Sequence, residues 1–135
     1  MLGAMLVFLV RHAHSDPGDP DDLRRLSGRG REDARALAER LAAHSTPPRL
    51  VLSSPLLRAR ETAEAIADAV SAPVQIDERL GPGTTVERLR VAVAGAEGAV
   101  AAVCHQPDCS EIALELTGRD PGFPPGGVDE LSLDV

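Results

Sequence analysis

The sequence predicts an α/β protein, a three-layer α/β/α sandwich around a mainly parallel central sheet. Short apolar runs alternate along the chain with segments whose apolar residues recur at helical spacing. The strongest runs are continuously apolar, as strands covered on both faces are. The length of 135 residues suits one domain, 1–135, with no linker or internal repeat. A chain of this size buries roughly two thirds of its extended surface, enough for a real core.

The elements follow in order. "MLVFLV" (Met5–Val10) reads as a buried strand. A Pro/Gly/Asp-rich loop runs from Asp16 to Asp22. A helix is predicted from about Gly28 to Ala43, capped by Ser27, with Ala34, Leu37, Ala38 and Leu41 on one face. After the Pro47-Pro48 break, "RLVLS" (Arg49–Ser53) is a second strand. The next helix, about Leu56 to Val70, aligns Ala59, Ala63, Ile66 and Val70. "PVQI" (Pro73–Ile76) is a weaker strand. "TTVERLRVAVA" is a short helix with Thr84 or Thr85 as cap and Val86, Leu89 and Val93 inward. "AVAAVC" (Ala99–Cys104) is another buried strand. "SEIALEL" (Ser110–Leu116) is a helix stopped by Gly118. The tail alternates Leu131, Leu133 and Val135, as an edge strand does.

Composition narrows the function. The formal net charge of −7 argues against nucleic acid or an anionic membrane as partner, because both call for a basic face. Two Phe and no Trp or Tyr leave the core to Leu, Val, Ile and Ala. Cys104 and Cys109 do not make a disulfide framework; they read as a buried thiol at a strand end and a thiol in a turn. The run "MLGAMLVFLV" lacks a basic leader region and is too short to span a bilayer, so the expected compartment is the cytoplasm. Met1 to Ala4 carry no pattern, which leaves Met1 and Met5 as alternative functional starts.

In open α/β sheets, ligands bind beyond the carboxyl ends of the strands. There the sequence offers Arg11 and His12 after the first run, and Ser53, Ser54 and Pro55 with Arg58 after the second. His105, Gln106 and Pro107 follow the run ending at Cys104. Two chemistries compete for this set. His12-x-His14-x-Asp16 begins a metal-ligand pattern, but Pro17 stands where a further histidine is wanted. His44 and His105 are the only other histidines, and Arg11 and Arg58 would repel a cation. Phosphoryl transfer fits better. A neutral imidazole whose other nitrogen is held as a donor is a competent nucleophile, and arginine forks suit phosphate oxygens. Neighbouring guanidinium groups would also disfavour the imidazolium form of His12, and His105 adds a third donor.

"LVRHAHS", "LSGRGREDARALAERL", "SSPLLRARETAEAIA" and "VCHQPDCSEIALELTG" together resemble, in order and spacing, the histidine phosphatase superfamily with its phosphoglycerate mutase-like fold. The chain most resembles the small bacterial phosphohistidine phosphatases (SixA-type), from Met5 to the final strand. The resemblance implies that His12 is the nucleophile that becomes phosphohistidine, that Arg11, Arg58 and His105 line the phosphate pocket, and that no metal or organic cofactor is needed. Ser53 and Ser54 are expected to be structural, fixing the turn that aims Arg58. His14 is expected at the pocket rim, and Arg60 on the helix surface.

The chain also departs from the family pattern. Gly18 stands where many members have a polar Asn, and no clear proton donor follows the second motif. The nearest candidates are Asp77 and Glu78, with Glu78 taken as the donor. A P–N bond to imidazole breaks more readily than a P–O bond to an alkoxide, so a missing acid favours phosphohistidine over a sugar phosphate. The expected partner is a phosphorylated protein, such as a histidine phosphorelay domain. The alternatives are a phosphatase for small phosphorylated metabolites and a non-catalytic phosphate-binding module. Phosphoglycerate mutase activity is not expected, because inserts that would enclose its substrate are absent. Asp16, Asp19, Asp21 and Asp22 form an acidic loop expected either to be plain polar surface or to repel highly anionic small substrates.

Overall fold

The computed structural model describes residues 3–134. Met1 and Leu2, in the N-terminal apolar run, and Val135, the last of the alternating tail residues, lie outside the described residues. The elements are β1 (Ala4–Arg11), α1 (Gly28–Ala42), β2 (Leu50–Ser53), α2 (Leu57–Val70), β3 (Val74–Ile76), α3 (Val86–Val93), β4 (Val100–Cys104), α4 (Asp108–Thr117) and β5 (Val128–Asp134). Two short 3-10 turns that the sequence did not announce, Asp21–Leu23 and Glu78–Leu80, complete the chain. The sheet order is β3-β2-β4-β1-β5, parallel throughout except for β5, which runs antiparallel to β1.

Strand alternation builds the two outer layers. From β1, Val7 and Leu9 face a core shared with α3 and α4. Phe8 and Val10 face the opposite core, shared with α1 and α2. β4 divides in the same way, with Val100, Ala102 and Cys104 on one side and Ala101 and Val103 on the other. Both strands are sealed on both faces, which is why they read as unbroken apolar runs. β5 closes the other end of the sheet from β3, turning Leu131 and Leu133 inward, as its alternation predicted.

The helix ends obey local chemistry. Ser27 caps α1 by accepting the Gly30 N–H, and Thr85 caps α3 by accepting the Arg88 N–H. Gly118 ends α4 at φ 78°, where a side chain would be strained. α4 starts two residues before the predicted Ser110, so Cys109 sits in its first turn and is buried, not in a turn as expected. Cys104 is buried at the end of β4, and the neighbouring Cys109 thiol together with burial raises its thiol well above the ordinary range. Both thiols are free. Among the described residues no helix is long and apolar enough to cross a membrane.

One glycine governs how α1 meets the β1 exit loop. A methyl group at Gly30 would collide with the backbone carbonyl of His14, which cannot swing aside as a side chain can. Gly30→Ala is therefore expected to lower stability by about 1–3 kcal/mol, the usual range for forced overpacking. Urea denaturation checks this; an unchanged midpoint would show that helix and loop are less tightly apposed than described.

Candidate active site

The site starts where β1 and β4 stop. Arg11 pairs in register with Cys104, and the His12 N–H donates to the Cys104 carbonyl at 3.1 Å. The next residues, His12 and His105, therefore leave neighbouring strands at the same edge. Their ring centroids are 5.2 Å apart at 56°.

The α2 segment adds the first cation. Arg58 lies in the first turn of α2 and is 8% exposed. One helical turn further, Thr62 Oγ1 donates to the Arg58 carbonyl at 2.8 Å and accepts the Ala13 N–H at 3.0 Å. That hydroxyl fastens the helix to the residue beside His12. Ser54 does more than shape the turn before Arg58, the role expected for it. Its Oγ lies 2.7 Å from His105 Nε2. The same oxygen accepts the Leu56 N–H at 3.3 Å and has no other acceptor within reach among the described residues. The Ser54 hydroxyl hydrogen is free to point at Nε2, and donation in that sense leaves the His105 hydrogen on Nδ1. Ser53 keeps the structural role, donating to the Ser54 carbonyl at 2.8 Å.

A second wall comes from the loop between α4 and β5. Arg11 Nη1 donates to the Phe123 carbonyl at 2.9 Å, and the Gly126 N–H reaches the carbonyls of Arg11 and His12, each at 3.1 Å. Pro125 of this loop lines the cleft. The third wall is the loop after β1, which brings in Arg24. The cleft has a volume of ≈ 220 Å³ and is lined by Arg11, His12, His14, Ser15, Arg24, Arg58 and Pro125. Arg24 was missed in the sequence because it lies in an irregular loop, between Leu23 and Arg25, with no strand end to mark it.

Electrostatics keep both imidazoles neutral. His12 is pushed down to about 4, chiefly by burial, with Arg58, Arg11 and Arg24 acting in the same direction against the Ala13 carbonyl. His105 is also pushed down to about 4, by burial first and then by His12 and Arg58. His12 Nδ1 lies 2.7 Å from the Ala13 carbonyl, which can only accept, so the hydrogen is on Nδ1 and Nε2 keeps its lone pair. A neutral imidazole with a free Nε2 and three guanidinium groups make a cleft suited to attack on phosphorus; His105 is not among the lining residues and stands buried beside His12.

The other expected residues fall elsewhere. His14 lines the cleft and is exposed, at the rim as predicted, with Nδ1 2.7 Å from Ser27 Oγ. Glu78 is exposed and is not among the cleft-lining residues, which is where a proton donor is wanted. Asp77 caps its turn and pairs with Arg79 at 2.7 Å, which holds its carboxyl below the usual range. Arg60 is half-buried outside the cleft. His44 stacks edge-on against Phe8 and meets Glu130 at 2.8 Å, at the C-terminal end of α1. Among the described residues no group of three or more His, Cys, Asp or Glu side chains is arranged to hold a metal ion.

Comparison with known proteins follows the geometry. The family model for the histidine phosphatase superfamily (branch 1) matches residues 7–81. Among solved structures, the chain is similar to the protein histidine phosphatase SixA complexed with tungstate. The TM-score is 0.82 at 25% identity, over 93% of this chain and 86% of that one. A SixA structure from Agrobacterium tumefaciens is similar at TM-score 0.81 and 27% identity, over 95% of this chain and 91% of that one. A mycobacterial glucosyl-3-phosphoglycerate phosphatase shares the fold at TM-score 0.64 and 22% identity, over 85% and 80%. The architecture is thus the phosphoglycerate mutase-like histidine phosphatase fold. No curated protein matches the chain.

Proton uptake tests the electrostatics directly. Unfolding returns each imidazole to its ordinary 6.5 from about 4, so between those values the unfolded chain holds more protons than the folded one. Stability is then complete above pH 6.5 and is lost as pH falls toward about 4. Histidine C2-proton NMR should give midpoints near 4 for His12 and His105. A midpoint at 6.5 for His12 would show that its imidazole is not desolvated in the cleft.

Proposed function

The chain belongs to the histidine phosphatase superfamily (branch 1), and from that premise we propose a phosphatase that attacks phosphorus through His12 Nε2 and acts on phosphohistidine in a partner protein. The observation that carries the reading is the tethered tautomer: Nδ1 is tied to the Ala13 carbonyl while Nε2 stays unprotonated among Arg11, Arg24 and Arg58.

In the proposed first step, Nε2 forms a bond to phosphorus as the P–N bond to the substrate imidazole breaks. The leaving imidazole departs neutral once its second nitrogen has taken a proton from water. In the second step, water attacks phosphohistidine 12, inorganic phosphate leaves, and the ring regains its lone pair. Arg11, Arg24, Arg58 and the Nδ1–H of His105 balance charge on the phosphoryl oxygens in both steps.

The choice of phosphohistidine over an alkyl phosphate rests on the absence of a carboxyl group among the cleft-lining residues. The carboxylate paired with the cleft's arginines is Asp21, held ionised by Arg24 and Arg58. An alkoxide leaving group needs a proton from the enzyme, whereas imidazole departs without one. Glu78 keeps the donor role only if substrate binding draws it in. The likeness to structures of the protein histidine phosphatase SixA supports the same substrate class.

Brief incubation with a radiolabelled phosphohistidine peptide and rapid quenching should trap acid-labile, base-stable label on the wild type and none on His12→Ala. Turnover of that peptide should exceed turnover of small alkyl phosphates. Faster hydrolysis of the alkyl phosphates would favour a metabolite phosphatase, and binding without turnover would favour a phosphate-binding module. Ser54→Ala frees His105 to place its hydrogen on either nitrogen, and kcat should fall by about tenfold or more, as happens when an orienting partner is lost. An unchanged kcat would remove Ser54 from the machinery.

A further inference from the structure

Asp21 is the one carboxylate, among the described residues, that touches the guanidinium groups of the cleft. Its Oδ1 accepts from Arg24 Nη1 at 3.0 Å and its Oδ2 from Arg58 Nη2 at 3.2 Å. Its backbone carbonyl accepts from Arg58 Nη1 at 2.9 Å. The contact joins unlike surroundings: the Arg58 side chain is 9% exposed and that of Asp21 is 61% exposed. The turn carrying Asp21 has no buried residue, and its Leu23 is 58% exposed, so apolar packing does not hold it in place. These polar contacts and Arg24 Nε on the Asp16 carbonyl, at 2.9 Å, bind the turn to the cleft.

Asp21 grips the terminal Nη1/Nη2 end of Arg58, while the Arg58 Nε–H has no partner among the described residues. That donor is therefore left for an oxyanion with the carboxylate in place. Arg24 and Arg58 are like charges facing one small space, and without an anion between them they would splay apart. Long arginine side chains also lose much rotamer freedom when they close on a ligand, and the bridge has them ordered beforehand. With both imidazoles neutral, three guanidinium groups against one carboxylate leave a surplus of two positive charges, which matches the dianion of one phosphoryl group.

We propose that Asp21 is a positioning residue for phosphoryl binding: it pins Arg24 and Arg58 in one setting and stays on them while the phosphoryl group takes the donors left over, Nη2 of Arg24 and Nε of Arg58. The Arg24 hydrogen bond and the nearby Arg58 charge hold the Asp21 carboxyl below the usual range, so the bridge persists throughout the neutral region. The proposal rests on the phosphatase reading of the cleft, yet its binding arm needs no turnover.

The test measures affinity for orthovanadate and for inorganic phosphate by calorimetry on the full chain, beside kcat and KM on an aryl phosphate. The variants are Asp21→Asn, Asp21→Ala, Asp21→Glu and Asp22→Asn. Asp22 is an exposed carboxylate of the same turn that hydrogen-bonds to neither arginine, so it controls for loop charge alone. Asp21→Asn and Asp21→Ala should bind both oxyanions about tenfold more weakly, with lower kcat, Asp21→Glu should recover part of the loss, and Asp22→Asn should match the wild type. Thermal midpoints should move by no more than about a few degrees, because the side chain is exposed. Tighter oxyanion binding by Asp21→Asn would show a competitor in place of a positioner, and unchanged affinity, or the same loss in Asp22→Asn, would equally overturn the proposal. A wild type that binds vanadate but hydrolyses nothing would defeat the phosphatase reading and leave Asp21 to be judged on affinity; a wild type that binds neither oxyanion would overturn both.

Discussion

The parallel pairing of β1 with β4 is the constraint on which the site depends. Opposite Cys104, Arg11 is the last paired residue of β1, so the two histidines emerge one step later on adjacent strands. A slip of one residue would turn every side chain of a strand to the wrong face, and both faces here are packed. The core therefore sets the separation of His12 and His105. Loops supply the remaining groups, but each is tied to this pair: the segment around Gly126 to the carbonyls of Arg11 and His12, α2 to Ala13 through Thr62, and Ser54 to His105.

The second theme is charge used at short range. The chain is acidic overall, yet three guanidinium groups line one cleft. Distant surface carboxylates are screened within about 8–10 Å at physiological salt, so the −7 total does not decide what the cleft attracts. The arginines serve in two ways. They present donors of the kind an anion takes, and they join burial in keeping His12 uncharged, Arg58 doing the same for His105. Asp21, itself exposed, pairs with Arg24 and Arg58 from the rim, a contact that the side chains of Asp16, Asp19 and Asp22 do not make among the described residues.

Much of the site was legible because its residues sit where an apolar run ends. His12 and His105 each follow a buried strand, and Arg58 opens the helix after another. A side chain at such a position has one direction available, out over the sheet edge. Arg24 and the Phe123–Gly127 wall were not legible, since irregular loops carry no period from which direction can be read. Ser54 was read as a turn residue because its partner, His105, is 51 positions away. Glu78 was read as the proton donor from its residue type and its place after the second motif, and its short turn leaves it exposed outside the cleft.

Sequence by itself determined the layers, the succession of elements and the chemical types gathered at the strand ends, because these follow from local periodicity and from which residues avoid water. Tertiary structure alone decided which nitrogen of each imidazole bears the hydrogen, how far each is pushed from its ordinary titration, and which carboxylate meets which arginine. Those properties depend on partners such as the Ala13 carbonyl, the Ser54 hydroxyl and the Asp21 carboxylate arriving within hydrogen-bond distance. Hydrogen bonding and desolvation act over a few ångströms of space, whatever the separation along the chain.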